Sequence, residues 1–205
     1  MLTKTLHIDK GQICKKLKRS LDKRRYTHTI GVSYTAAALA MCYDTDIEKA
    51  EIAGLLHDCA KCMDDKETLE LCDKHRISIT DVERRNPFLL HAKLCAFFAM
   101  QNYGIKDKEI ISAIINHTTG HPEMTLLEKI VFVADYIEPN RKKAPNLSSI
   151  RHLAFINLDQ ALLHILEDTL GYLKSIDSEI DEMTQKTYEY YQEKLNGFHD
   201  TNVNN

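Results

Sequence analysis

The chain contains no tryptophan, and only seven glycines and four prolines interrupt its 205 residues. Because glycine and proline form most of the turns between strands, their scarcity argues against a many-turned sheet. Leu, Ile, Ala, Lys and Glu dominate between these breaks, and this composition favours helices. The sequence therefore predicts a nearly all-helical protein, and its 43% apolar content is sufficient for a sizeable core.

The chain also lacks a large excess of charge and a long apolar run. The formal net charge of −3 gives no general attraction to nucleic acid, and the basic cluster at 141–143 is too short for a duplex-binding stripe, although it could hold a phosphate. Apolar stretches such as 130–134 are far below the roughly 20 residues that cross a bilayer, and the amino terminus has no apolar signal core. We expect a soluble, cytoplasmic protein that binds neither nucleic acid nor membranes.

Six cysteines are present, but the pattern does not favour disulfides. Four of the six fall inside helical patterns, and no secretion signal accompanies them. Cys59 and Cys62 have Cys-x-x-Cys spacing, yet a lone pair without a second pair or a preceding strand is weak evidence for zinc or redox chemistry. We therefore predict reduced thiols.

Helical periodicity predicts a histidine or an aspartate on the apolar face, or at the end, of each of five segments. These positions are His28 in residues 25–42, His57-Asp58 at the end of residues 47–58, His91 in residues 88–103, His117 in residues 107–117 and Asp135 in residues 126–137. Further helices are predicted over 12–21, 65–74, 148–155, 158–176 and about 182–195, with an irregular stretch through Asn86-Pro87. No linker or repeat divides the chain, so we expect one domain over 1–205 with its core at about 22–176.

This set of side chains predicts a metal centre. A single histidine on an apolar face more often just bonds a backbone carbonyl, but burying several ionisable groups together is costly unless something pairs them. Imidazole and carboxylate together suit first-row transition metals. We predict a first ion held by His28, His57, Asp58 and Asp135, and a second held by His91 and His117 with Asp58 as the bridge.

Phosphate hydrolysis is the reaction that fits this arrangement best. Two ions about 3.5–4 Å apart lower the pKa of bound water, orient it and neutralise a phosphoryl group under attack. Lys61 follows His57 by four residues and can reach Asp58 or a substrate oxygen, although a solvated lysine is an equal alternative. His117 and His121 have the spacing of a zinc pair, but Gly120 and Pro122 break the helix that such a pair requires. We predict His57, Asp58 and Lys61 as the catalytic residues.

The pattern His28, His57-Asp58, Asp135 resembles that of the HD-domain phosphohydrolase superfamily. The segments RYTHTIGV, AGLLHDCAK and INHTTGHPEMTLLEKIVFVADYIEPNR are more specifically similar to the bacterial YqeK-type family, over about 26–173. The resemblance implies an all-α HD-domain helical bundle that cleaves diadenosine tetraphosphate symmetrically into two ADP. It also implies iron as the cofactor, with one or two ions bound and with manganese or another divalent metal as alternatives. A homodimer is left open.

Matching the family's motifs residue by residue implies the following roles. Metal ligands are implied at His28, His57, Asp58 and Asp135. His91 and His117 match histidines that face the phosphates or a second metal. Substrate contacts are implied at Thr118, Tyr136 and Arg141, and the planar guanidinium of Arg141 can bind two phosphate oxygens at once.

Two departures from the family pattern affect the substrate side. His121 and Glu123 stand where the family usually has Arg and Gly, so we expect a positive phosphate contact to be either weakened or replaced by a titratable one. Cys59 stands where the residue after the His-Asp pair is commonly aromatic, which bears on the packing around the base.

Three rival functions are consistent with parts of the pattern. Another HD phosphohydrolase, acting on mononucleotides, cyclic nucleotides or guanosine alarmones, would keep the metal site and change the pocket. A non-catalytic nucleotide sensor would bind without cleaving, but it has no need of a complete ligand set. A structural helical adaptor would bind no metal.

Overall fold

The computed structural model describes residues 9–201, with side chains described up to residue 197. Eleven α-helices and one 3₁₀ turn, Pro87–Leu90, occur in this range, which contains no strand. The helices are α1 Lys10–Ser20, α2 Lys23–Cys42, α3 Ile47–Leu56, α4 Asp65–His75, α5 Asp81–Arg85, α6 His91–Tyr103, α7 Lys108–Asn116, α8 Leu126–Ile137, α9 Leu147–Leu153, α10 Leu158–Ser175 and α11 Glu182–Thr201. The prediction of an all-α fold is confirmed.

Most helices begin at a side chain that accepts a hydrogen bond from a backbone N–H of the first turn. The N-terminal amides of a helix have no intrahelical partner, and Asp, Asn and Thr supply one. Thr125 and Glu128 form a reciprocal capping box at the start of α8. The capping residues are Asp9, Asp22, Asp46, Asp64, Thr80, Asp107, Thr125 and Asn157.

Helix α8 lies at the centre of the fold and packs against α2, α3, α7 and α10. Most of its residues are buried, as expected for a helix that is covered on several sides. Helices α2 and α3 pack closely because Gly54 has no side chain. A Cβ at this position would lie 2.8 Å from Ser33 Cα, so any larger residue would push the two helices apart. This contact helps to fix the end of α3 beside α2.

Three predicted elements differ from the structure by more than two residues. Residues 81–85, expected to be irregular, form α5, because Thr80 and Glu83 make a capping box. Helix α6 begins at His91 rather than at Phe88, since Pro87 starts a separate 3₁₀ turn. Helix α11 continues to Thr201, beyond the predicted end near 195. The apolar periodicity is weak near the end of this helix, so the pattern did not predict helix there.

Buried apolar side chains from α1 to α11 form one core cluster. The assignment of residues 1–205 to one domain stays a prediction, and the amino-terminal residues 1–8 lie outside the described part. Within residues 9–201, no helix is both long and apolar enough to cross a membrane.

Candidate metal centre and substrate cavity

Six side chains predicted to bind metal or phosphate meet in one place. His28 comes from α2, His57 and Asp58 follow α3, His91 begins α6, His117 follows α7 and Asp135 lies on α8. Their ligand atoms form three overlapping groups, and within each group the atoms lie no more than 4.8 Å apart. The groups are His28–His57–Asp58, His57–His117–Asp135 and Asp58–His91–His117. The cluster can therefore hold a metal ion.

The two oxygens of Asp58 face two different histidine pairs. Oδ2 lies 3.6 Å from His28 Nε2 and 3.4 Å from His57 Nε2. Oδ1 lies 3.4 Å from His91 Nε2 and 3.7 Å from His117 Nε2. A carboxylate in this orientation can bridge two cations, which is the geometry predicted for Asp58.

Three of the histidines are oriented by the same kind of local hydrogen bond. The Nδ1 atoms of His57, His91 and His117 donate to the carbonyl three residues earlier, at 2.7, 2.6 and 2.7 Å. These carbonyls are available because each histidine directly follows a helix or a 3₁₀ turn, where the last carbonyls have no intrahelical partner. Donation from Nδ1 leaves the Nε2 lone pair free to face the centre of the cluster.

His28 is held by a more distant partner. Its Nδ1 lies 3.1 Å from Oε1 of Glu138, the buried residue that follows α8. The Nε2 atoms of His28 and His57 are buried and form no hydrogen bond with any described residue. His28 Nε2 lies 3.0 Å from Asp135 Oδ1, but the two atoms are not aligned for a hydrogen bond. Buried polar nitrogens without partners are uncommon, and these two fit a bound cation.

The electrostatics of the cluster match the same chemistry. Burial alone would raise the pKa of Asp58, but His57, His117 and His91 lower it well below its usual range. Burial acts on Asp135 in the same way, but His28, His57 and Arg141 lower its pKa. Burial and the neighbouring Lys61 lower the pKa of His91 to about 3. His28 differs, because although burial lowers its pKa, Asp135, Glu138 and Asp58 raise it above the usual value. Ionised carboxylates and a neutral imidazole, the states that bind a metal ion, are therefore favoured at Asp58, Asp135 and His91.

Two arginines pair with the carboxylates of the cluster. Arg25 forms an ion pair with Asp58 Oδ2. Arg141, predicted to contact substrate, donates from Nη2 to Asp135 Oδ1 at 3.0 Å and from Nε to the Asp135 carbonyl at 3.1 Å. Sequence reasoning did not select Arg25, although it lies one helical turn before His28, where side chains share a face.

Lys61 and Thr118 lie beside the second histidine pair. Lys61 Nζ is 3.0 Å from Nδ1 and 3.1 Å from Nε2 of His91, so the ammonium rests against the ring. Burial lowers the pKa of Lys61. Thr118 Oγ1 lies 3.1 Å from His117 Nε2 and 3.3 Å from His91 Nε2. Both residues line a cavity beside the cluster.

The cluster opens into a cavity of about 460 Å³. All five residues predicted to bind substrate line it: His91, His117, Thr118, Tyr136 and Arg141. Tyr136 donates its hydroxyl proton to Asp168 Oδ2 at 3.0 Å, which fixes the ring at the cavity wall. Phe132, Ile165 and Tyr172 add apolar and aromatic surface. Ile165, Asp168 and Tyr172 could not be predicted as cavity residues, because nothing in the sequence indicated that α10 faces the cluster.

The two departures from the family pattern lie away from this cavity. His121 Nε2 is 3.1 Å from Glu128 Oε1, a carboxylate in the first turn of α8, and the effect of His121 on phosphate binding stays a prediction. Cys59 is buried, and its Sγ lies 3.7 Å from the Cys95 carbonyl. Neither residue lines the substrate cavity, so neither changes its walls directly.

Comparison with known proteins matches this geometry to a family. The HD domain model matches residues 25–140, a range that includes all six clustered side chains. A symmetrical bis(5'-nucleosyl)-tetraphosphatase of Halalkalibacterium halodurans is 39% identical over 88% of this chain and 96% of its own length. The protein of the same name from Bacillus subtilis is 38% identical over 85% of this chain and 92% of its own length. The chain belongs to the HD-domain family of symmetrical bis(5'-nucleosyl)-tetraphosphatases.

A solved structure confirms the HD-domain fold. The crystal structure of a predicted HD superfamily hydrolase involved in NAD metabolism, from Clostridium acetobutylicum, aligns with a TM-score of 0.86 and 36% identity. The alignment covers 90% of this chain and 97% of that one. The helical arrangement that forms this HD-domain metal centre is thus shared along almost the whole chain.

Proposed function

We propose that this HD-domain protein hydrolyses diadenosine tetraphosphate symmetrically, giving two molecules of ADP. The observation that carries the proposal is the six-residue cluster of imidazoles and carboxylates at the end of a 460 Å³ cavity. The family relationship supports it, because the relatives that cover most of this chain are named for this activity.

We assign a first ion to His28, His57, Asp58 and Asp135, and a second to His91, His117 and the other oxygen of Asp58. When bound, such ions act as Lewis acids on phosphoryl oxygens and lower the pKa of water, which is the chemistry that phosphate hydrolysis needs. Iron is the proposed metal, with manganese as the alternative, because mixed imidazole and carboxylate donors bind both.

The residues around the proposed metal ligands orient these ligands or contact the substrate. The ion pair with Arg25 holds Asp58 so that its oxygens face both histidine pairs. Arg141 holds Asp135 in the same way. Lys61 and Thr118 present an ammonium and a hydroxyl to the cavity, where they can bind the non-bridging oxygens of a phosphate. Lys61, as a donor to the reacting phosphate, is therefore proposed as catalytic with His57 and Asp58.

The walls of the cavity suit an adenosine. Tyr172 is 60% exposed, although it is aromatic, and Ile165 and Phe132 lie on the same cavity wall. A base can stack on an exposed tyrosine ring, and such contacts contribute about 1–3 kcal/mol each. A cavity with an apolar wall at one end and the cluster of imidazoles and carboxylates at the other favours a nucleotide as the ligand. A cytoplasmic location and a homodimer stay predictions.

Product analysis tests the proposal directly. Purified protein loaded with Fe²⁺ or Mn²⁺ is incubated with diadenosine tetraphosphate, and the products are separated by chromatography. ADP alone is expected, and AMP plus ATP would contradict symmetrical cleavage. Turnover only of mononucleotides, cyclic nucleotides or alarmones would favour another HD phosphohydrolase. Substrate recovered uncleaved with the metal bound would favour a sensor.

A further inference from the structure

A second cavity, of about 340 Å³, lies beside the metal centre and has a strongly basic lining. Its cationic residues are Arg24, Arg25, Arg141, Lys142 and Lys143. Arg25, Arg141 and Lys143 also line the substrate cavity. Since Arg25 pairs with Asp58 and Arg141 with Asp135, the two cavities adjoin at the metal ligands.

Three of the five cations in this lining form no ion pair with a described residue. Arg24, Lys142 and Lys143 form no ion pair with any residue in the described part of the chain. The carboxylate that lines the cavity, Glu138, is 2% exposed. Its Oε1 contacts His28 and its Oε2 accepts hydrogen bonds from Asn140, so both oxygens are engaged. A concave surface with unpaired cations attracts anions and concentrates them.

We infer that this basic cavity binds the phosphates of the departing half of the dinucleotide. The inference rests on the proposed function and names a second subsite for the same substrate. In symmetrical cleavage the oxygen of water bonds to one of the two central phosphorus atoms, and the other half leaves as ADP with the bridging oxygen. The bridge between the second and third phosphates must therefore lie at the metal ligands, with one ADP half on either side of it. The substrate cavity holds the half with the stacked base, and the basic cavity holds the phosphates that leave as ADP.

This arrangement also accounts for the position of the cut. A tetraphosphate carries equal charge on both sides of its central bridge, and each side would be held by its own set of cations. Arg25, Arg141 and Lys143 lie between the two cavities, where the central phosphates must pass. Binding of the phosphates on both sides fixes which P–O–P bridge of the substrate lies at the metal ligands, so the substrate is oriented for cleavage at its centre.

The test compares two double variants with the same change in net charge. Arg24→Ala/Lys142→Ala removes unpaired cations that line only the basic cavity, and leaves the shared Lys143 in place. Lys106→Ala/Lys108→Ala removes two exposed cations at the start of α7, while the metal ligand His117 lies past the other end of that helix. All four side chains are exposed, so we expect the unfolding temperatures to match the wild type.

For the basic-cavity variant, we expect KM for diadenosine tetraphosphate to rise about 10- to 100-fold while kcat changes less than about threefold. The control variant should match the wild type. Added NaCl should raise the wild-type KM more steeply than that of the basic-cavity variant, because fewer charges remain to be screened. In calorimetric titrations, metal-loaded wild type should bind two ADP per chain and the basic-cavity variant one.

The possible results separate the inference from the proposed function. If wild type does not cleave diadenosine tetraphosphate, the proposed function fails and the inference fails with it. If wild type cleaves it and the basic-cavity variant keeps both KM and two ADP sites, the inference alone is overturned. Loss of the second ADP site with an unchanged KM also overturns it, since the cavity would then bind free nucleotide rather than the departing half.

Discussion

His28 is oriented by Glu138, a carboxylate 110 residues later in the chain, through a contact of 3.1 Å between Nδ1 and Oε1. Glu138 is buried directly after α8, and Asn140 donates two hydrogen bonds to its other oxygen at 2.7 and 3.0 Å. Gly31 makes room for this carboxylate, because a Cβ at that position would collide with Oε2. The chain thus uses a tertiary contact to hold the one clustered histidine whose Nδ1 does not bond a nearby backbone carbonyl.

We expect Glu138→Ala to lower metal affinity about 10- to 100-fold, since an unsupported imidazole loses its orientation. Glu138→Gln should cause a smaller loss, because an amide oxygen can still accept the bond from Nδ1. Metal titration of the metal-free proteins measures both effects. Glu167→Ala is the control, since it removes an exposed carboxylate that contacts His164. Equal affinities for all three variants and the wild type would contradict the role of Glu138.

The bridging orientation of Asp58 predicts different metal contents for different ligand variants. Asp58→Ala removes a ligand from both positions and should abolish metal binding and turnover, as should His57→Ala. His91→Ala removes a ligand of the second ion only, so this variant should lose about one ion per chain and retain the other. Elemental analysis gives the metal content per chain, and circular dichroism should show helicity close to that of the wild type. Full turnover by a variant without metal would refute the assignment of the site.

The fold and most of the cluster could be predicted because their signals are local. Periodicity placed His28 and Asp135 on apolar faces, and the ends of α3 and α7 fall directly before His57 and His117. The hydrogen bonds that orient His57 and His117 also span only three residues, so they depend on local structure alone. A histidine directly after a helix is therefore a signal that can be read in advance.

The partners of these ligands could not be predicted, because they depend on how distant helices meet. Arg25 reaches Asp58 across 33 residues, and Glu138 reaches His28 across 110. Neither pair has a fixed spacing that a pattern could identify. Asp168 likewise enters the cavity wall because α10 packs against α8, which the sequence of α10 does not encode by itself.

The carboxylate of Glu128 predicts a measurable dependence of stability on pH. Burial acts to raise its pKa, but hydrogen bonds from Ser112, Thr125 and His121 lower it from 4.5 to about 2. Because the folded pKa lies below the unfolded value, this stabilisation is fully present above about pH 4.5 and is lost as the pH falls through about 2. Glu128→Gln should therefore be less stable than wild type by about 2 kcal/mol at pH 7.

Urea unfolding of wild type and Glu128→Gln over a range of pH checks this prediction. The difference in the free energy of unfolding should shrink from pH 5 towards pH 2, where the wild-type carboxyl becomes protonated as well. Glu167→Gln, at an exposed site, should show little difference at any pH. A Glu128→Gln deficit that stays constant down to pH 2 would show that its charge is not what stabilises the loop before α8.

Glu123 predicts a substitution that increases stability. Its φ of +59° lies in the left-handed region, where a side chain costs about 1 kcal/mol and glycine costs little. The residue is exposed and does not line the substrate cavity, so the side chain has no packing to lose. We expect Glu123→Gly to raise the free energy of unfolding by about 0.5 kcal/mol, after the greater flexibility of glycine in the unfolded chain is subtracted.

Glu123→Ala is the matched control, because it removes the same carboxylate and keeps the Cβ that causes the strain. It should be close to wild type and therefore less stable than Glu123→Gly by about 0.5 kcal/mol, as measured by thermal or urea unfolding. If alanine and glycine stabilise the protein equally, the effect belongs to the charge of Glu123 rather than to its backbone. KM and kcat should stay at the wild-type values in both variants, since the loop is held by Glu128 and not by residue 123.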